Sequence, residues 1–98
     1  MKSIIQDNKE CFLCRYLYDI ENILWLEDHH IFGGPNRHLS EQYGLKIYLC
    51  HKHHNEPGFS VHYNKDYRIL IHQIGQRAFE KKYSHEEFMR LIGKNYLE

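Results

Sequence analysis

Between residues 65 and 82 the apolar side chains Tyr67, Leu70, Ile71, Ile74, Ala78 and Phe79 recur along one face of a 3.6-residue repeat. Asn64 stands just before them, where a side-chain oxygen can accept from the first free backbone N–H groups, so the pattern predicts a helix over about 65–82. Ser84, with Glu87 three residues on, predicts a capping box opening a last helix over 84–97 that buries Phe88, Leu91, Ile92 and Tyr96. Upstream the period changes. Residues 23–32 are rich in aromatic and branched side chains and predict a strand, which Gly33-Gly34-Pro35-Asn36 stops. Leu45 to Leu49 predicts a second strand, with 40–44 between them as a loop or one short turn. Tyr16, Ile20 and Ile23 suggest a short helix over 15–22, and Cys11 to Cys14 reads as a tight knuckle. From Cys50 the chain is expected to turn through a run of histidines into a loop at Pro57-Gly58. Knuckle, two strands, then helices make an α+β domain with little sheet. Repeats, low-complexity tracts and linkers are absent, so residues 1–98 read as one domain.

Composition narrows the class. Hydrophobic residues form 42% of the 98 positions, which argues against disorder, yet a core of this size is modest and a bound metal would help it. Nothing approaches the roughly 18 consecutive apolar residues of a membrane span. The first residues, Met1 to Asp7, lack the apolar core of an export signal, so a cytoplasmic, reducing setting is the expectation. There the three cysteines would remain thiols. Formal charge is zero, which removes bulk attraction to nucleic acid as an argument. Its distribution is uneven: residues 1–30 carry three Lys/Arg against six Asp/Glu, and residues 31–54 carry Arg37, Lys46 and Lys52 against Glu41 alone.

Cys11-x-x-Cys14 and Cys50-x-x-His53 form two knuckles of soft or borderline donors. Zinc takes four such ligands tetrahedrally, and a two-residue gap lets one tight turn aim both side chains at one ion. Such an ion would tie the N-terminal region to the end of the second strand and supply folding free energy. His51 is the alternative fourth ligand, ranked below His53 because the three-residue offset of His53 repeats that of Cys11 and Cys14.

Nine histidines are many for this length, and five lie in two short runs, His29-His30 and His51, His53, His54. Phosphodiester hydrolysis needs a base for water and positive charge on the phosphate and leaving oxygen, which a histidine and an imidazole-held metal can divide between them. Adjacent strand residues point to opposite faces, so His29 and His30 can share one site only if the strand ends or bulges there.

The order Cys-x-x-Cys, Glu27-Asp28-His29-His30-Ile31, then Leu49-Cys50-His51-Lys52-His53-His54-Asn55 resembles the His-Asn-His (HNH) endonucleases with the ββα-metal, or His-Me finger, fold. It is similar in particular to small HNH-like proteins of phages and prophages, over about Cys11 to Phe79. The resemblance implies a ββα-metal core with zinc knuckles and C-terminal helices. It implies His30 as general base, and His29, His54 and His62 as ligands of a catalytic divalent ion separate from the zinc. An imidazole-only set favours Zn, Ni, Co or Mn over Mg by ligand softness. DNA is the implied substrate, with 5′-phosphate and 3′-hydroxyl products, and Arg37, Lys46 and Lys52 are candidate phosphate contacts. One departure stands out: the motif asparagine usually lies just before the second strand, where this chain has Tyr43-Gly44-Leu45. Asn36, Asn55 and Asn64 are the candidates for its role. His38, His72 and His85 are left as surface or packing residues, and the tyrosines as core or interface. The alternatives are an HNH scaffold that binds nucleic acid or a protein partner without cutting, and a zinc-structured interaction domain whose C-terminal helices bind a partner.

Overall fold

The computed structural model describes residues 2–98. Among them the sheet has two antiparallel strands, β1 (Glu27–His30) and β2 (Lys46–Leu49), paired Glu27 with Leu49, Asp28 with Tyr48, His29 with Ile47 and His30 with Lys46. The strand expected over 23–32 is therefore much shorter than its apolar run. Leu24 and Trp25 are 87% and 86% exposed, and β2 offers only four partner residues. Cross-strand partners share a face. Glu27 and His29 lie with Leu49 and Ile47, both of which are buried, while Asp28 and His30 lie with Tyr48 and Lys46 on the other side.

Five helices frame the sheet: α1 (Phe12–Tyr18), α2 (Arg37–Tyr43), α3 (His51–Asn55), α4 (Lys65–Lys82) and α5 (His85–Ile92). The helix expected over 15–22 thus begins at Phe12 instead, and Asp19 ends it in the left-handed conformation. Residues 33–36 do not simply stop the chain, because Gly34–Asn36 makes one 3-10 turn that runs directly into α2, a helix of seven residues that takes in most of the loop or short turn expected over 40–44. The histidine run is helical as well. α4 starts where Asn64 predicts: its side chain accepts from the Tyr67 N–H at 3.0 Å. Ser84 accepts from the Glu87 N–H at 3.1 Å, and the Glu87 carboxylate pairs with Arg90. α5 ends at Ile92, short of the expected 97, because Gly93 turns left-handed at φ 84°.

The core gathers Leu13 of α1, Ile31 and Phe32 beyond β1, Leu45, Ile47 and Leu49, Val61, Ile71 and Phe79 of α4, and Phe88 of α5. Ser40 of α2 fixes the chain after β1: its buried hydroxyl donates to the Phe32 carbonyl at 2.8 Å and accepts from the Phe32 N–H at 2.9 Å. Buried Gln76 holds the C-terminal segment, donating to Asn95 Oδ1 at 2.8 Å and accepting from the Tyr96 N–H at 2.7 Å. The free edge of β2 is occupied by N-terminal side chains. Ser3 donates to the Lys46 carbonyl at 2.6 Å, and Gln6 Oε1 accepts from the Tyr48 N–H at 2.7 Å, so the strand offers little for another chain to pair with. Among the described residues no helix is long and apolar enough to cross a membrane.

Candidate metal centres

Among the described residues two clusters of ligating side chains emerge, one from the first turns of α1 and α3 and the other from β1, α3 and the segment before α4. The first is Cys11, Cys14, Cys50 and His53. Cys11 occupies the N-cap of α1, and its Sγ accepts from the Cys14 N–H at 3.4 Å, so one turn aims both thiols the same way. Cys50 holds the same position before α3, with His53 three residues on. His53 Nδ1 lies 3.6 Å from Cys11 Sγ, 3.4 Å from Cys14 Sγ and 3.4 Å from Cys50 Sγ, and the sulfurs of Cys14 and Cys50 are 3.7 Å apart. Zinc bonds of about 2.3 Å to sulfur and about 2.0–2.1 Å to nitrogen, at tetrahedral angles, imply edges of about 3.8 Å between sulfurs and about 3.5 Å from sulfur to nitrogen. These separations are those of a tetrahedron around one ion, so the cluster suggests a structural metal such as zinc. Burial raises the Cys11 and Cys14 thiols, with the neighbouring sulfurs pushing Cys14 further up. Metal binding must therefore displace protons from them. Burial, with Lys52 adding, lowers His53, which leaves its ring neutral and free to ligate. His51, the alternative fourth ligand, stays out: its side chain is 64% exposed and its Nδ1 is 3.2 Å from Glu27 Oε2.

The second cluster is His29 of β1, His54 of α3 and His62, which lies between α3 and α4. Each offers a ring nitrogen within 4.8 Å of the others, and ring centroids are 5.0–5.4 Å apart. Burial lowers His29 to about 3, with the nearby His54 and His62 rings adding to the effect. Burial also lowers His62, again helped by His54. Neutral rings with free lone pairs are what a cation needs. Glu27 braces the cluster from below: its carboxylate takes His54 Nδ1 at 2.6 Å, His51 Nδ1 at 3.2 Å and the Asn55 amide at 2.9 Å. Those bonds, His54 first, hold its carboxyl below the usual range. With Nδ1 engaged, His54 keeps Nε2 for a metal, the carboxylate–histidine arrangement that fixes tautomer and ring direction.

β1 ends at His30, and the two adjacent histidines border one open cleft of about 580 Å³ although their rings leave opposite faces of the strand. His30 lies outside the three-ring cluster, with Nε2 3.1 Å from Glu41 Oε1 of α2. Glu41 also accepts from Lys46 Nζ at 2.8 Å, and that bond first, with His30 also contributing, holds its carboxyl well below the usual range. Arg37, Arg68 and His72 line the same cleft. Of the candidate phosphate contacts, only Arg37 faces it. Lys46 is paired with Glu41 beside a different hollow, and Lys52 Nζ sits 4.5 Å over the Phe59 ring. Asn55 reaches Glu27, Asn64 caps α4, and Asn36 leads into α2; the partner shown for His30 is Glu41. His85 pairs with Glu80, and His72 stacks on Phe32, as packing residues do.

Sequence reasoning missed Glu27, Glu41 and Arg68. Glu27 had a signal, since it lies two residues before His29 and so on the same strand face. Glu41 is eleven positions from His30, across a helix that the pattern did not show. Compared with protein families, curated proteins and solved structures, the chain finds no match in any of the three.

Proposed function

We propose that the protein is a metal-dependent endonuclease of the HNH type, hydrolysing DNA phosphodiester bonds on a ββα-metal core formed by β1, β2 and α3. The observation that carries this reading is the convergence of His29, His54 and His62, with His30 left outside the cluster on the same cleft. A divalent ion held by the three rings would neutralise charge on the scissile phosphate and the leaving oxygen. The protein's own groups do the rest. His30 takes a proton from water as the water oxygen attacks phosphorus, and the bond to the 3′-oxygen breaks, leaving 5′-phosphate and 3′-hydroxyl ends. Glu41 acts as a positioning residue: it fixes the ring of His30 and favours the imidazolium that forms, the orienting task that the resemblance gives to an asparagine elsewhere in the motif. Arg37 and Arg68 reach the cleft as donors for the phosphate backbone. Cys11, Cys14, Cys50 and His53 would hold a structural zinc that ties α3, and with it His54, to the N-terminal helix.

The test is cleavage of plasmid DNA by zinc-loaded protein in a panel of Mg, Mn, Ni, Co and Zn. His30→Ala should lose roughly 10²–10⁴-fold in rate without losing structural zinc. Undiminished cutting by this variant removes His30 as the base. The zero formal charge favours a second reading, a scaffold that binds DNA or a protein without turnover. Retention of DNA without cutting in every metal would establish that reading instead.

A further inference from the structure

Five of the nine large apolar side chains exposed among the described residues fall within positions 16–25: Tyr16, Tyr18, Ile20, Leu24 and Trp25. The last two are exposed at 87% and 86%, more than any other large apolar residue described. They occupy the end of α1 and the segment before β1, and this segment is held firmly at both ends. Cys11 caps α1, the Tyr18 ring stacks on His53 at 6.2 Å, and β1 begins two residues after Trp25. Leu24 and Trp25 adjoin in the chain and both stand almost wholly in water, and exposed apolar surface of that kind marks a contact site.

The surrounding charge says what. Residues 10–28 hold Glu10, Asp19, Glu21, Glu27 and Asp28 against the single Arg15. Arg15 is spent on its neighbours, at 2.6 Å from Asp19, 3.9 Å from Glu10, and in close contact with Glu21. Asp19 and Glu21 side chains remain 84% and 66% exposed. An acidic rim repels a phosphate backbone and an anionic lipid surface, and it attracts cations. We infer that residues 16–25 form a docking surface for a basic protein segment with apolar anchors, on a part of the molecule separate from the histidine cleft. Leu24 and Trp25 supply the buried centre of that contact, and Asp19 and Glu21 supply its charged margin. This surface stands whether or not the cleft cuts DNA, because none of its five apolar residues lines that cleft.

Trp25 is the chain's only tryptophan, so its emission reports on this surface directly. The 98-residue, zinc-loaded protein is titrated with a synthetic helical peptide bearing leucines on one face and lysines on the other. The same helix with glutamates and a DNA duplex are titrated in parallel. The lysine peptide should shift Trp25 emission to the blue and shield it from acrylamide, with affinity falling roughly tenfold from low to physiological salt. Leu24→Ser and Glu21→Lys should each weaken it at least about fivefold while zinc content and helical signal hold. The glutamate peptide and the duplex should leave emission unchanged. The inference is overturned by an equal response to both peptides, by shielding with DNA, by shielding that rises with protein concentration alone, or by no response to the lysine peptide.

Discussion

Glu27 joins three side chains of α3, His51, His54 and Asn55, to the first residue of β1, and so decides where the His54 ring points. Glu27→Gln keeps the size but removes the charge that favours a fixed His54 tautomer. Metal affinity at the three-histidine cluster should fall roughly tenfold to a hundredfold, while zinc at the cysteines is unaffected. Calorimetric titration of zinc-loaded protein with manganese or nickel checks this, and an unchanged affinity would remove Glu27 from the site. His72 offers a test of a different kind. Burial lowers it from 6.5, with Arg68 and Lys94 adding and a bond to the Ile31 backbone opposing. A depressed pKa means that below pH 6.5 the unfolded chain takes up a proton that the native chain refuses. The stability His72 supports is thus complete above that pH and is lost as pH falls toward the folded value. His72→Phe keeps the stack on Phe32 and removes the titration. Its urea midpoint should drop less than that of the wild type between about pH 8 and about pH 5, both measured without added divalent ions. Equal drops would mean that His72 is solvated.

What could be read at the level of elements depended on whether burial follows apolarity. α4 was legible from Asn64 to Lys82 because its apolar face is the buried one: Ile71 and Phe79 lie in the core. β1 was over-read because Leu24 and Trp25 look like strand interior and are instead exposed. α2 was hidden because Arg37–Tyr43 carries only Leu39 and Tyr43 as large apolar residues, too few for a period. α3 was hidden because its helix is made of polar histidines gathered around the two clusters rather than around an apolar stripe. The cysteine knuckles could be read from their spacing alone, whereas the carboxylates that steer the histidines could not. The junction between α2 and β2 has its own test. Gly44 ends α2 at φ 69°, and its carbonyl accepts from the Ile4 N–H at 2.9 Å. A Cβ there would lie 2.3 Å from the Lys2 carbonyl oxygen, so Gly44→Ala both strains the backbone and drives the N-terminal segment off the β2 edge. Loss of about 2 kcal/mol or more is expected in urea denaturation. Gly33→Ala, with φ −93° and no atom within 4 Å of the added carbon, is the matched control and should change stability little.

For the whole molecule, the cysteine cluster ties Cys11 before α1 to Cys50 and His53 after β2. A domain of this length has a total stability of about 5–15 kcal/mol, and a structural zinc contributes about 10–16 kcal/mol of apparent binding free energy. The second figure matches or exceeds the first, so the folded state should not outlast removal of that ion. The histidine cluster differs: its site lies at the surface, bordered by an open cleft, and its loss leaves the core contacts in place. On the endonuclease reading proposed above, two ions of unequal consequence are expected. A mild chelator should strip the histidine-held ion and abolish cutting, with the Cα radius of gyration near 13.0 Å unchanged. A strong zinc chelator, or Cys50→Ser, should abolish cooperative unfolding and expand the chain toward the roughly 30 Å of an unfolded polymer of this size in X-ray scattering. Because Cys50 lies four residues from His54, Cys50→Ser should also weaken the histidine site, whereas His62→Ala should leave the structural zinc at one per chain. If metal analysis finds the cysteine ion gone and scattering still gives the compact radius, the apolar core holds the fold by itself and the zinc serves some purpose other than stability.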